Sequence, residues 1–166
     1  PVMAAGPALE WGLGPLWEAH VKLTIGQLNS LPPATEETAC EYLLLHGQPI
    51  SRVRLLGDVV SVRTQTNQTS FELDDGSGLV RCVCWRNEEY GFSLDEDIRL
   101  GRFVDVFGRL ITYMHQRQVA VCSLHFPPDC NVEPLRWLEQ VELSKSVYRV
   151  APVNVQKEAL QHEPKP

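Results

Sequence analysis

The sequence lacks the features that mark a membrane protein or an enzyme. It has no apolar run long enough to span a bilayer and no secretory hydrophobic segment. It has no phosphate-binding glycine loop and no nucleophile elbow, and its five histidines have no partners at catalytic spacing. Its acidic groupings, Asp74-Asp75 and Asp95-Glu96-Asp97, are typical of a turn and a solvated loop. We therefore expect no enzymatic activity and no membrane association.

Lysine is missing from the centre of the chain. Residues 49–126 contain nine Arg, no Lys and ten Asp or Glu, a net charge of −1, and the whole chain carries −6. This balance argues against a protein that coats duplex DNA by electrostatics alone. Arginine can stack on bases and fork onto phosphates, which favours contact with single strands, although ordinary solvated arginines explain the same composition.

The cysteines do not form a recognisable disulfide or metal pattern. Their number, five, is odd. Cys82 and Cys84 are two apart in a β-type run, so they share one face and are poorly placed to bridge each other. Zinc sites use cysteine pairs on tight turns, separated by two to four residues. The sequence thus predicts no metal, no cofactor and a reducing compartment.

The central segments alternate between apolar and polar residues, which predicts strands. Gly57 and Gly108 each interrupt a long strand and suggest a bend in a small barrel. Residues 87–100, between the third and fourth strands, read as a loop or short helix. This order predicts a mainly β protein with a five-stranded OB-fold barrel at 49–126. The five predicted strands are 52–62, 70–74, 79–86, 102–113 and 118–126.

Segments on either side of the barrel have other patterns. Residues 1–48 predict an N-terminal extension that packs on the barrel, with a short helix followed by an extended stretch. Residues 127–150 contain apolar residues at helical spacing, which predicts a C-terminal interface helix at 134–148. Residues 151–166 are polar and end in proline, as expected of a disordered tail.

Three stretches together resemble a known family. They are Trp11-Gly-Leu-Gly-Pro15, then His46-Gly-Gln-Pro-Ile50 with the following Leu56 to Arg63, and finally Leu73-Asp-Asp-Gly-Ser-Gly-Leu-Val-Arg-Cys-Val-Cys-Trp85. The combination resembles the Stn subunit of the telomere-capping Ctc–Stn–Ten (CST) complex, which is related to the middle subunit of replication protein A.

The resemblance implies a set of partners and a location. It implies a heterodimer with a Ten-type small OB subunit, a Ctc-type large subunit, and binding of single-stranded telomeric DNA. It also implies stimulation of the fill-in reaction of DNA polymerase α–primase, in the nucleus at chromosome ends. An alternative is an assembly subunit of a replication protein A-like complex whose barrel never contacts DNA.

Binding of single strands by an OB barrel needs exposed aromatic side chains and nearby cations. Trp85 and Tyr113 match family positions on the open face, whereas Phe71 is expected in the core. By alternation, Arg81 and Trp85 face outward and Cys82 and Cys84 face inward. The candidate cations are Arg63, Arg81, Arg86, Arg109 and Arg117.

The C-terminal helix is the candidate partner surface. Its apolar residues exceed what an isolated helix needs, unless the helix folds back on its own barrel. The resemblance favours packing against the small partner. The candidate interface residues are Leu135, Trp137, Leu138, Val141 and Tyr148.

Overall fold

A computed structural model describes residues 16–33, 43–85, 98–129 and 131–149. Five long strands form the body of the protein, and short elements flank them. The long strands are β4 (Arg52–Thr64), β5 (Gln68–Asp74), β6 (Leu79–Trp85), β7 (Phe103–Tyr113) and β8 (Gln116–His125). The flanking elements are β1 (Val21–Lys22), α1 (Ile25–Ser30), β2 (Leu43–Leu45), β3 (Gln48–Ile50) and α2 (Val132–Ser146).

The five long strands close into a barrel. The order around it is β4, β5, β6, β8 and β7, and β7 pairs back with β4. Only the β6–β8 pairing within the barrel is parallel. Closure depends on the length of β4, whose first half pairs with β7 and whose second half pairs with β5. The predicted OB-fold barrel with a C-terminal helix is confirmed.

The two mid-strand glycines lie where backbones approach closely. A Cβ atom on Gly57 would be 2.3 Å from the carbonyl oxygen of Asp74, and one on Gly108 would be 2.4 Å from Cγ1 of Val119. Neither contact is sterically possible. The glycines therefore allow β4 and β7 to cross their neighbours at short range.

The barrel interior follows the predicted alternation. Phe71, Cys82 and Cys84 are buried in the core as expected, while Trp85 is exposed. Val83 departs from the pattern, because it is buried although it lies on the outward row of β6. Its neighbours across the sheet are Ser70 on β5 and Ala120 on β8.

The N-terminal extension is arranged in the opposite order from the prediction. An extended segment comes first, with Val21 in β1 paired parallel to β4, and the helix α1 follows. The helix starts at Ile25 because Thr24 and Gln27 form a reciprocal capping box there. The β2–β3 hairpin was not predicted from the sequence. Its turn contains Gly47 at a φ of 83°.

Some predicted segments lie outside the described residues. These are most of the loop at 87–100 and the tail at 151–166. No helix within the described ranges is long and apolar enough to cross a membrane.

Candidate nucleic-acid face and partner helix

One outer wall of the barrel carries three of the residues predicted to contact DNA, namely Arg63, Arg81 and Trp85. It is formed by β5, β6 and the end of β4, where Arg81 lies opposite Glu72 and Trp85 lies opposite Gln68. Trp85 is 52% exposed and Tyr113, at the end of β7, is 55% exposed. Both aromatic rings are therefore accessible to a ligand, as stacking on bases requires.

The two aromatic residues lie on different strands, because Trp85 ends β6 in this wall and Tyr113 ends β7, two strands away around the barrel. Tyr113 pairs with Gln116, two residues before Gln118, and Gln118 pairs with Arg81. Tyr113 is thus level with the start of β6, whereas Trp85 ends it. Six residues of strand separate these levels, or roughly 20 Å. At this separation, one base could not lie between the two rings.

Two of the candidate cations flank a shallow groove on the same wall. Arg63 is exposed, and Arg81 is half-buried and donates from Nη2 to Oγ of Ser70 at 3.2 Å. The groove has a volume of about 60 Å³ and also contains the carboxylate of Glu72. Its mixed charge means that electrostatic attraction of a phosphate backbone here is modest.

The other candidate cations are placed elsewhere. Arg117 was predicted to contact DNA, but its guanidinium donates to the carbonyls of Leu28 and Leu31 and so holds the end of α1. Arg117 therefore has a structural role in this fold, and its contact with DNA stays an untested prediction. Arg109 is exposed, but it lines a different groove of about 300 Å³ beside Glu18. Arg86 lies outside the described residues.

The C-terminal helix turns its apolar residues away from the barrel. Leu135 is 65% exposed, and Trp137, Leu138 and Val141 are also more than half exposed. In α2, the buried positions among described residues are Arg136 and Gln140, both polar. An ordinary surface helix shows the reverse arrangement. We call the exposed set of Leu135, Trp137, Leu138 and Val141 the α2 ridge.

Tyr148 does not belong to this ridge. It is 5% exposed and is part of the hydrophobic core. Its hydroxyl donates to the carbonyl of Lys22 and accepts from the amide of Lys22, both at 3.1 Å. Burial raises the pKa of this phenol. The prediction that Tyr148 contacts a partner is therefore wrong. After α2 the chain turns inward, and the hydroxyl of Tyr148 joins this segment to Lys22 of β1.

A buried ionic cluster joins α2 to the barrel, and sequence reasoning missed it. Asp105 on β7 is 1% exposed and accepts from both Nε and Nη2 of Arg54, with the shortest distance 2.6 Å. Its Oδ2 also accepts from Nη2 of Arg136 on α2 at 2.8 Å. The available signal was a single carboxylate within the otherwise apolar run Phe103-Val-Asp-Val-Phe107.

The Asp-Asp-Gly-Ser-Gly hairpin has a structural role that its sequence did not indicate. Asp75, which is 7% exposed, accepts from the amide of Ile25 at 2.7 Å. Oγ of Ser77 accepts from the amide of Gly26 at 2.8 Å. The hairpin thus supplies acceptors for amides at the start of α1 that the helix itself leaves without partners.

No group of three His, Cys, Asp or Glu side chains converges within the described ranges. Cys82 and Cys84 are in the barrel core, and burial strongly raises the pKa of the Cys82 thiol. A thiol held protonated is a poor metal ligand. The expectation of no metal therefore remains a prediction with a physical reason.

Comparison with known proteins identifies the family. The CST complex subunit STN1 of Arabidopsis thaliana is 31% identical over 153 residues, which cover 81% of this chain and 95% of the plant protein. The chain belongs to the STN1 family of CST complex subunits. The resemblance inferred from the sequence motifs is thus confirmed.

Other relatives agree with this family. The STN1 of Ailuropoda melanoleuca is 27% identical over 86% of this chain, and the human one is 26% identical over the same share. The chain spans less than half the length of these two mammalian relatives. Residues 53–125 also match the OB-fold nucleic acid binding domain family named tRNA_anti-codon.

Solved structures show the same fold. The yeast Stn1 of a Stn1 and Ten1 structure superimposes with a TM-score of 0.72 at 14% identity, covering 91% of this chain and 87% of the other. The S. pombe Stn1-Ten1 complex and a replication protein A heterotrimer bound to single-stranded DNA each give 0.66 at 18% identity. They cover 87% and 78% of this chain and 99% and 98% of the matched chains, respectively. These relatives are named as subunits of complexes, and no catalytic role is shown for this STN1-family chain.

Proposed function

We propose that this chain pairs with a Ten-type small OB subunit through the α2 ridge. The observation that carries the proposal is that α2 docks on its barrel by polar residues and presents four apolar side chains outward. An apolar stripe of this kind, with a tryptophan in it, is typical of a surface that a partner covers. Two of the structural relatives are described as Stn1 with Ten1, which supports this choice of partner.

The ridge is tested by placing charge in it. The double variant Leu138→Asp with Val141→Asp should abolish co-purification with the small partner, because two carboxylates would be buried against apolar surface. Leu100→Asp is the matched control, since Leu100 is 72% exposed and lies on a loop before β7. The proposal is wrong if the folded double variant retains its partner as well as the control does.

We infer that the heterodimer joins a Ctc-type large subunit in a CST-type complex at telomeres in the nucleus. There it would support the fill-in reaction of DNA polymerase α–primase. Family membership supports this assignment. Affinity purification of the full chain from nuclear extract, with mass spectrometry of its partners, checks this assignment. In the same experiment, the L138D/V141D variant should lose the small subunit before it loses the large one. Recovery of neither subunit with the unmodified chain would overturn the assignment.

The barrel wall is proposed to add contacts to single-stranded DNA within that complex. Trp85 is exposed at the end of β6 and Tyr113 at the end of β7, and Arg63 and Arg81 flank the groove of the wall. Each change of an aromatic residue to alanine should weaken binding by about 1–3 kcal/mol, as loss of a stacked base does elsewhere. Fluorescence anisotropy of labelled telomeric single strands with the assembled complex measures this effect.

A second function, assembly without DNA contact, is favoured by the charges of the wall. Glu72 lies in the groove with Arg63 and Arg81, and Arg117 is engaged by α1. The salt dependence of binding separates the two functions. If Arg63 contacts a phosphate, Arg63→Ala should reduce the slope of log affinity against log salt by about 0.7. Equal slopes and equal affinities for R63A, W85A and Y113A would leave assembly as the function of this barrel.

A further inference from the structure

The docking of α2 on the barrel depends more on charged contacts than on apolar ones. Arg136 and Gln140 face the barrel and are buried, while Leu143 packs against the edge of the core one turn later. Over most of its length, the helix therefore gains little from the hydrophobic effect on its inner side. Something more specific has to fix its position.

Asp105 supplies that specific contact. Its carboxylate is 1% exposed and is shared by two guanidinium groups, one from the barrel strand β4 and one from α2. Arg54 is held independently, because its guanidinium also lies 4.3 Å from the ring centroid of Phe107. Arg136 belongs to α2, so its pairing with Asp105 is the contact that holds the helix in place.

Arg136 has few alternatives to Asp105. Its Nη1 is buried and has no hydrogen-bond partner in the part of the chain that the structure describes. Its Nε lies 3.4 Å from Oε2 of Glu139, on the same helix, and Glu139 also pairs with Lys22. Among the described residues, the partner of Arg136 on a barrel strand is Asp105, and this pair, together with the Lys22–Glu139 pair at β1, registers the helix against the barrel.

The rotation of α2 decides which residues face outward. Residues 136 and 140 are on the side of Asp105, so residues 135, 138 and 141 are turned away from it. A rotation of the helix by about 100°, the angle between successive residues, would bring part of the ridge toward the barrel. The carboxylate thus fixes the direction of the apolar surface as well as the position of the helix.

We propose that Asp105 is a positioning residue for subunit assembly: it holds α2 through Arg136 at the rotation that presents Leu135, Leu138 and Val141 to the small partner. This inference rests on the proposed role of the α2 ridge. Asp105 itself touches no partner, since it is buried between strand and helix. Its effect on assembly is therefore indirect and should be separable from that of the ridge.

The test uses the full chain and measures affinity for the small OB subunit together with hydrogen exchange of the free chain. Asp105→Asn keeps the shape of the side chain but leaves the buried guanidinium of Arg136 and the partly exposed one of Arg54 without a full counter-charge. We expect at least tenfold weaker binding and faster amide exchange in α2, with exchange in β5 unchanged. Asp58→Asn, an exposed position on β4, is the matched control and should bind normally.

Two further variants keep the test decisive if Asp105→Asn disturbs the barrel. Arg136→Gln removes only the helix side and leaves the Arg54–Asp105 pair intact, so it should weaken assembly while the barrel stays folded. Replacing all three members of the cluster with leucine, R54L with D105L and R136L, should restore binding to within about threefold, because a buried ionic triad can often be exchanged for apolar residues and no guanidinium then lacks its counter-charge. The R136Q variant distinguishes positioning from a merely structural role, because amide exchange should become faster in α2 while the barrel strands keep their protection.

The outcomes separate this inference from the proposed function. If L138D/V141D abolishes binding but R136Q and D105N bind like the unmodified chain, Asp105 does not position the helix and the inference is overturned. If L138D/V141D binds normally, the ridge is not the interface and the proposed function fails on its own. Both the proposed interface and the positioning role of Asp105 are supported if all three variants, L138D/V141D, D105N and R136Q, lose binding. In that case, α2 should lose its protection from amide exchange only in D105N and R136Q.

Discussion

Removing the carboxylate of Asp75 should weaken the attachment of α1 to the barrel. Asp75 is 7% exposed and accepts three hydrogen bonds: from the amide of Ile25 at 2.7 Å, and from the amide and hydroxyl of Ser77 at 2.9 and 2.6 Å. Ile25 itself is fully buried, so its amide would have no access to water if α1 stayed in place. Asp75→Ala therefore leaves an unsatisfied donor in the core.

The magnitude follows from where each donor lies. A buried donor left without its acceptor costs about 1–3 kcal/mol, and the upper part of that range applies here because the acceptor is charged. The two donors of Ser77 are at an exposed residue and can bond to water, so they add little. We expect the free energy of unfolding to fall by about 2–3 kcal/mol, which is a decrease of roughly 4–12 °C in Tm for a chain of this size.

The adjacent carboxylate provides a matched control. Asp74 accepts from the amide of Gly76 at 2.8 Å, which is an exposed turn contact. Asp74→Ala should therefore cost only about 0.5–1 kcal/mol. Urea denaturation of both variants, followed by circular dichroism with m-values compared, measures the difference. Equal losses of stability for the two variants would show that Asp75 does not hold α1, and the capping argument would be refuted.

Three further predictions follow from other regions. Elemental analysis should find no stoichiometric zinc, because Cys82 and Cys84 are core thiols; one zinc per chain would contradict this. Burial and two nearby arginines lower the pKa of His20, so the folded chain binds fewer protons there than the unfolded chain. The stability that neutral His20 contributes is therefore fully present above a pH of about 6.5 and is lost on acidification. In thermal melts, the His20→Phe variant should lose less stability than the unmodified chain between pH 7 and pH 5. The β7–β8 turn holds Met114 and His115 at φ values of 49° and 60°; Met114→Asn with His115→Gly should raise stability by about 1 kcal/mol in urea titrations, and no gain would argue against turn strain.

The barrel could be predicted from the amino-acid sequence alone. Alternation of apolar and polar residues reports directly which side chains point inward, so the strands around Phe71, Cys82 and Cys84 could be predicted to within a few residues. Gly57 and Gly108 were equally informative, because a glycine inside a long strand signals close approach of another backbone. The motifs around the hairpin before Trp85 were sufficient to predict the family.

The roles of the flanking residues became clear only in the folded molecule. A helical period shows that a helix has an apolar side, but not whether that side faces its own barrel or a partner. Here Asp105, 31 residues before Arg136 in the chain, determines the answer by pairing with it. The same holds for Arg117 and Tyr148, whose polar atoms bond to backbone groups far away in sequence. Such pairings depend on where the folded strands place their side chains, and no local pattern of residues encodes that placement.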